Sequence, residues 1–136
     1  MTEDNEGALL EEARMEDSIE AEQRAYKEAA VMDVPQLAGW ALETLGQRIT
    51  AVGTGLRDAR PIREWREGGR IKEENEDRLR LLYRVARTIT LLYDQQTARA
   101  FLRSASPYLN DIAPVLAIAA RDERAVLGAL RAFLEG

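Results

Sequence analysis

The chain is 136 residues long, carries 19 Lys and Arg against 24 Asp and Glu for a formal charge of −5, and contains neither Cys nor His. That length fits one domain, or two very small ones sharing a core. Without Cys and His, thiol nucleophiles, disulfides, histidine general bases and the usual zinc or haem sites are excluded, while carboxylate-only metal sites and carboxylate catalysis survive. An acidic total also speaks against nucleic acid, because phosphate contact needs a positive face. The total hides a strong asymmetry. Residues 1–30 hold ten carboxylates against three cations, whereas residues 46–90 hold eleven cations against seven carboxylates. An uneven distribution of this kind reads as an acidic arm beside a basic surface.

Ala, Leu, Glu and Arg dominate and no run alternates apolar with polar residues, so the fold class is all-α. Residues 1–34 form the acidic arm. Leu9 to Met32 fits a helix with a thin apolar stripe, and carboxylates such as Glu16 and Glu20 repel one another at i,i+4 spacing. Residues 35–94 form the second region. Pro35 suits the first turn of a helix carrying Leu37, Trp40, Ala41, Leu42 and Leu45. A short helix over Gln47–Val52 is expected to be interrupted by Gly53-Thr54-Gly55. Asp58 then caps a helix with Pro61 in its first turn, which stops at Gly68-Gly69.

A long helix follows, opened by Glu73, Glu74, Glu76 and Asp77 where the amino-terminal dipole favours negative charge. Leu79, Leu82, Ala86, Ile89 and Tyr93 make its stripe; Arg80, Arg84 and Arg87 line another face, with Glu76–Arg80 and Glu74–Arg78 spaced to pair. Residues 95–136 supply a helix over Gln95–Arg103, a break at Ser104-Ala105-Ser106-Pro107, and short helices over Ile112–Ala120 and Asp122–Leu134. Asn110 or Asp111 is expected to cap the first of these and Asp122 the second. No apolar stretch reaches the roughly 18 residues of a membrane span. The amino-terminal segment lacks the basic and apolar regions of a signal peptide, so a cytoplasmic protein with no membrane contact is expected.

Residues 49–68 read as a helix-turn-helix. Such a unit needs a small residue where its helices cross, a Gly about four positions on, and apolar residues inside the second helix with basic ones outside. Ala51, Gly55, Leu56, Ile62 and Trp65 fill the inner positions. Arg57, Arg60, Arg63 and Arg66 face outward, with Arg70 and Lys72 just beyond, and guanidinium suits both phosphate and guanine edges. The alternative is a solvated basic face on an ordinary helix hairpin. Trp40 and Trp65 fall on apolar sides and are expected in the core rather than as base-stacking platforms, and Tyr83 and Tyr93, on the long helix's stripe or its edge, are expected as core or dimer contacts. The Glu73–Asp77 cluster is expected to serve the helix dipole, and no catalytic, metal or cofactor residue is expected, so the chain is not read as an enzyme.

The run from Leu45 to Arg87 resembles Xre-like helix-turn-helix regulators of the actinobacterial type. The matching residues are Leu45, Gly46, Gln47, Arg48, Ala51, Gly55, Asp58, Arg60, Ile62, Trp65, Gly68, Arg78, Leu79, Arg80 and Tyr83, with that group's turn one residue longer than the common pattern; Pro61 replaces its usual Thr. Residues from Ala98 onward resemble the toxin-binding domain of Xre/MbcA/ParS-type antitoxins, through Ala98, Phe101, Leu102, Ser106, Pro107, Leu109, Pro114, Val126, Ala129, Phe133 and Gly136. Phe101 stands there for Trp and Ser106 for Asn.

The resemblance implies a dimeric, sequence-specific binder of double-stranded DNA, a repressor of the toxin–antitoxin kind, with the 59–67 helix in the major groove. Arg60 and Arg63 would reach base edges while Arg57, Arg66, Arg70 and Lys72 hold phosphates. The alternative is an adaptor that binds and neutralises a toxin or other partner protein through Val126, Leu127, Leu130, Phe133 and Gly136. Residues 1–30 lie outside both resemblances. Their charge is expected to weaken non-specific DNA binding, by repulsion or by covering the arginine face.

Overall fold

The computed structural model describes residues 2–136, with side chains from Asn5 onward, so the carboxylates of Glu3 and Asp4 lie outside the described residues. The elements are α1 (Thr2–Val31), α2 (Val34–Leu45), α3 (Gln47–Gly53), α4 (Arg60–Arg66), α5 (Glu73–Leu92), α6 (Gln95–Arg103), a single 3-10 turn at Pro107–Leu109, α7 (Pro114–Ala119) and α8 (Glu123–Glu135). The all-α class therefore holds; among the described residues the sole β feature is an isolated bridge between Ser106 and Ile112.

Local chemistry sets most of the boundaries. Asp33 and Gln36 close a capping box at α2, each side chain accepting from the other's backbone N–H, with Pro35 in the first turn. Asp94 and Asp122 cap α6 and α8 by accepting from the N–H groups of Thr97 and Ala125. The start of α7 departs from expectation. Asn110 and Asp111 adopt left-handed φ of 55° and 65°; Asn110 closes the preceding 3-10 turn, neither residue caps α7, and the N-cap is Ala113, which makes no side-chain cap bond. Pro114 is the cause. Its ring bars the preceding residue from the helical region, Ala113 sits extended at ψ 138°, and no helix can begin earlier. α7 ends in a Schellman turn in which Arg121, at φ 57°, takes the position glycine prefers; its N–H donates to Ile118 and that of Asp122 to Ala117. A side chain in that conformation costs about 1–2 kcal/mol.

The core comprises two contiguous clusters joined by α5. One gathers Leu37, Ala38, Ala41, Ala51, Ala59, Ile62, Trp65, Leu79 and Tyr83 from α2–α5. The other gathers Leu45, Ile49, Leu82, Val85, Ala86 and Ile89 with Phe101, Leu102, Val115, Ile118, Val126 and Leu130 from α6–α8. Trp40 belongs to the edge of both and meets Tyr83 edge-on, ring centroids 4.7 Å apart. Trp65 and Tyr83 are buried, as their apolar spacing suggested, whereas Tyr93, expected on the stripe, is 56 % exposed.

α1 runs against α5. Ala21, Ala25 and Ala29, four residues apart, are buried there, while Leu9, Leu10, Met15 and Ile19 stay exposed. Small alanines let the two helices approach closely, and a stripe without large side chains leaves little periodic signal in the sequence. The arginine face of α5 supplies the rest of the contact. Arg80 donates to the carbonyls of Ala29 (2.6 Å) and Met32 (2.8 Å), satisfying the carboxyl-terminal end of α1. Glu28 accepts from the Tyr83 hydroxyl (2.7 Å), from Arg87 (2.8 Å) and from Arg24 (3.1 Å). Burial pushes the Glu28 carboxyl up, but these hydrogen bonds outweigh it and hold the group at about 2. Burial and the adjacent Glu28 carboxylate together raise the Tyr83 hydroxyl above its usual value.

Of the two expected pairs on α5, Glu76–Arg80 forms at 2.9 Å. Arg78 instead donates to the Ala119 carbonyl at 2.7 Å and to Asn75 at 3.1 Å. An otherwise unsatisfied carbonyl at the end of α7 outcompetes an exposed carboxylate, since surface ion pairs contribute little.

Candidate nucleic-acid interface

α3 and α4 are joined by six residues whose geometry follows from one glycine. Gly55, at φ 78°, closes α3 in a Schellman turn: its N–H donates to Val52 (3.0 Å) and that of Leu56 to Ala51 (2.8 Å). Leu56 and Ala51 lie on the same core cluster, the apolar contact that accompanies this turn. Gly53, expected to break α3, is instead its last helical residue. A Cβ there would sit 3.3 Å from both Leu82 and Val115, so the glycine serves the approach of α3 to α5 and α7. Thr50 and Thr54 are buried, and their hydroxyls donate within the unit, to Gly46 and Thr50 carbonyls at 2.7 Å each. Asp58, expected to cap α4, lies one residue before its N-cap, Ala59, which makes no side-chain cap bond; the Asp58 carboxylate accepts instead from the Arg60 N–H at 2.9 Å.

Ile62 and Trp65 then point inward, 0 % and 3 % exposed, and pin α4 to the cluster beneath. Arg57, Arg60, Arg63, Arg66, Arg70 and Lys72 are all exposed. The inward–outward division follows the three-residue spacing of a helix.

The six cations are not equivalent. Arg66 donates to Glu43 on α2, and Arg63 lies 3.4 Å from the Gln47 side-chain oxygen on α3. Among the described residues, the side chains of Arg57, Arg60, Arg70 and Lys72 make no hydrogen bond or ion pair. Glu64 and Glu67 share the outer side of α4 and line a shallow groove with Arg60, Arg63, Gly68 and Gly69. Residues 46–72 carry seven cations against three carboxylates, so the surface is basic though interrupted. Two exposed residues at the start of α3, Gln47 and Arg48, adjoin this surface and were not singled out as contacts from sequence. Gln47 is brought beside Arg63 only by the turn, sixteen positions away.

Among its described residues, the acidic arm does not cover this surface. Its residues Glu11, Arg14, Met15, Ser18, Ile19 and Glu22 border a cleft with Arg131, Leu134 and Glu135 of α8, and Glu22 pairs with Arg131 at 3.2 Å. Removing residues 1–30 would also strip Ala21, Ala25 and Ala29 from the core, so the arm is partly a structural element.

The candidate partner-binding residues of α8 divide sharply. Val126, Leu127 and Leu130 are 0 %, 7 % and 0 % exposed and are consumed by the chain's own core, which corrects their assignment to a contact surface. Phe133 is 39 % exposed, its ring 4.9 Å from Phe101 and 6.4 Å from Tyr93, and Gly136 is exposed. Beside Phe133 a groove of about 560 Å³ lies between α6, the Ser104–Tyr108 segment and α8. Ala100, Phe101, Pro107, Tyr108 and Ala132 line it, and Asp94 is the one charged residue among its lining.

No protein-family model, curated protein or solved structure matches this chain. No helix among the described residues is long and apolar enough to cross a membrane.

Proposed function

We propose that this chain is a sequence-specific binder of double-stranded DNA, a transcriptional regulator of the Xre-like antitoxin type acting as a homodimer, with α4 in the major groove. The observation that carries this reading is the α3–α4 unit itself. It is closed by a Gly55 turn and pinned by Ile62 and Trp65, and it presents a row of exposed arginines on the opposite side. Arg60 is uncommitted and is the first candidate for a base edge. Arg63 joins it by exchanging its long contact with Gln47 for a base. Arg57, Arg70 and Lys72 hold phosphates, and Arg66 does so once it leaves Glu43.

Selection from a randomised duplex pool, followed by titration of the enriched site, tests this reading. Arg60→Ala is expected to cost about 1–3 kcal/mol and to relax one base position. With four cations per protomer on phosphates, log affinity against log salt should fall with a slope of about −4 per protomer, or about −7 when both halves of a dimer are bound. A slope near zero would overturn the proposal.

A specific observation also favours partner binding by the carboxyl-terminal helices. Tyr93, Tyr108, Ile112, Leu116 and Phe133 are all substantially exposed on one short module, and Tyr108 and Phe133 line the apolar groove. Solvent-facing aromatic and aliphatic residues at that density mark interaction surfaces. On this reading the groove, rather than Val126 or Leu130, holds the toxin or other partner. Ala100→Arg, which fills the groove with a charge, should abolish co-purification of an adjacent toxin-like gene product while leaving DNA titrations unchanged. Undiminished co-purification would count against it.

A further inference from the structure

A second cleft, of about 440 Å³, opens between α1, α5 and the α7–α8 junction. Its walls bring together Arg80 and Arg84 from α5, Arg121 from the turn after α7, and the ring of Tyr26, over a floor that includes Ala29 and Leu81. Three features set it apart from an ordinary charged surface. First, the turn after α7 brings the Arg121 guanidinium into the cleft that Arg80 and Arg84, one turn apart on α5, already line, although like charges in one cleft repel.

Second, Arg121 occupies the left-handed position where glycine is the least strained residue, so the sequence keeps a guanidinium at this place against local preference. Third, the Nε–H of Arg84 is buried and has no hydrogen-bond partner, while the guanidinium lies 4.8 Å from the centre of the Tyr26 ring. That edge of the guanidinium is covered, so an entering anion would meet the Nη groups, of which Nη1 donates to Glu123.

The carboxylates that face these cations hold them loosely. Glu123 pairs with Arg84 at 2.9 Å and Asp77 with Arg121 at 3.4 Å, and both acids are more than half exposed. Exposed pairs of this kind are worth little and open readily. Arg80 is anchored differently, by Glu76 and by the carbonyls of Ala29 and Met32, so it stays in place as a fixed positive wall.

We infer that this cleft is a binding site for a small organic anion of the phosphate-monoester class, held by Arg84 and Arg121 with Arg80 behind them. Asp77 and Glu123 swing out to solvent as the anion enters. An oxyanion has several acceptor oxygens and can answer two guanidinium forks at once, which a single carboxylate cannot. The ligand would bridge α1 to the α7–α8 junction. The inference does not depend on DNA binding, and its test involves no DNA.

The test is a titration of the full chain with glycerol 3-phosphate, inorganic phosphate and succinate, each against chloride at matched ionic strength, followed by NMR of arginine Nε–H and backbone amide signals. Saturable shifts of the Arg84 Nε–H and of the Tyr26, Ala30 and Arg121 amides are expected with glycerol 3-phosphate. Saturation by inorganic phosphate with equal strength would assign the site to free phosphate, and saturation by succinate alone would overturn the phosphate class. Arg84→Gln and the exposed Arg121→Gln should each weaken binding at least tenfold, with the thermal melt of Arg121→Gln serving as the folding control. Linear shifts common to all salts, or shifts that survive both substitutions, would overturn the site.

Discussion

Replacing Trp65 by Ala is expected to destabilise the fold by about 3–5 kcal/mol, the usual cost of removing a large aromatic from a packed interior. Trp65 is 3 % exposed and belongs to the cluster of Leu37, Ala38, Ala41, Ile62 and Leu79. α4 has seven residues, far below the length at which a helix holds itself together in water, so its position depends on that burial. A loss of this size is a large fraction of the 5–15 kcal/mol that stabilises a typical domain. Urea titration followed by far-ultraviolet circular dichroism measures it, and Trp40 remains as a fluorescent probe. A destabilisation below about 1 kcal/mol would mean that α4 is anchored elsewhere. Arg60→Ala provides the contrast, since its side chain is exposed and unpaired: the urea midpoint should stay put while DNA affinity falls. The pair of variants separates loss of the scaffold from loss of the contact.

The second large effect is expected at Glu28, where Glu28→Gln should cost about 2 kcal/mol at neutral pH. The carboxylate accepts from Tyr83, Arg87 and Arg24, and the substitution leaves the half-buried Arg87 guanidinium without its anion. The pH dependence has a definite sign. The carboxyl is held at about 2 in the fold, below its ordinary value of 4.5. A depressed carboxyl contributes stability that is fully present above the unfolded value and is lost as pH falls through the folded one. Urea midpoints of the natural protein and the variant should therefore differ at pH 7 and converge toward about pH 2. A gap that stays constant over that range would show that Gln disturbs packing rather than charge. Because Glu28 joins α1 to α5, the variant should also raise amide exchange along residues 21–31 more than along α4.

Much of this architecture can be read from spacing alone. Asp33 with Gln36, Pro35 and the acidic first turn of α5 are local signals, because capping and dipole effects act within one turn of helix. The α3–turn–α4 unit is legible for the same reason. Ala51, Gly55, Ile62 and Trp65 meet through contacts short in sequence, so their types and intervals carry the geometry. The start of α7 is not legible from its candidate caps, because Asn110 and Asp111 stand before Pro114, whose steric veto on Ala113 acts more strongly than any cap.

Other features have no local signature. The alanine face of α1 resembles a solvated helix until α5 is laid against it, since small buried residues give no periodic apolar signal. Arg80, Arg84 and Arg87 look like an exposed cationic face, yet Arg80 and Arg87 bond α1 and Arg84 bonds Glu123 on α8. Val126, Leu127 and Leu130 have the pattern of any amphipathic helix, and only packing against α5–α7 decides that they face the core.

The sequence by itself determined the helical class, the order of elements, the turn at Gly55 and the outward row of arginines, because each depends on interactions within a few residues. Tertiary structure alone decided which arginines are free and which are held by Glu43, Gln47 or Glu28. It also decided that α1 is half framework, and that Arg121 shares one cleft with Arg80 and Arg84 of α5. Charge and burial are properties of neighbours in space, and those neighbours lie sixteen to fifty-nine positions apart along the chain.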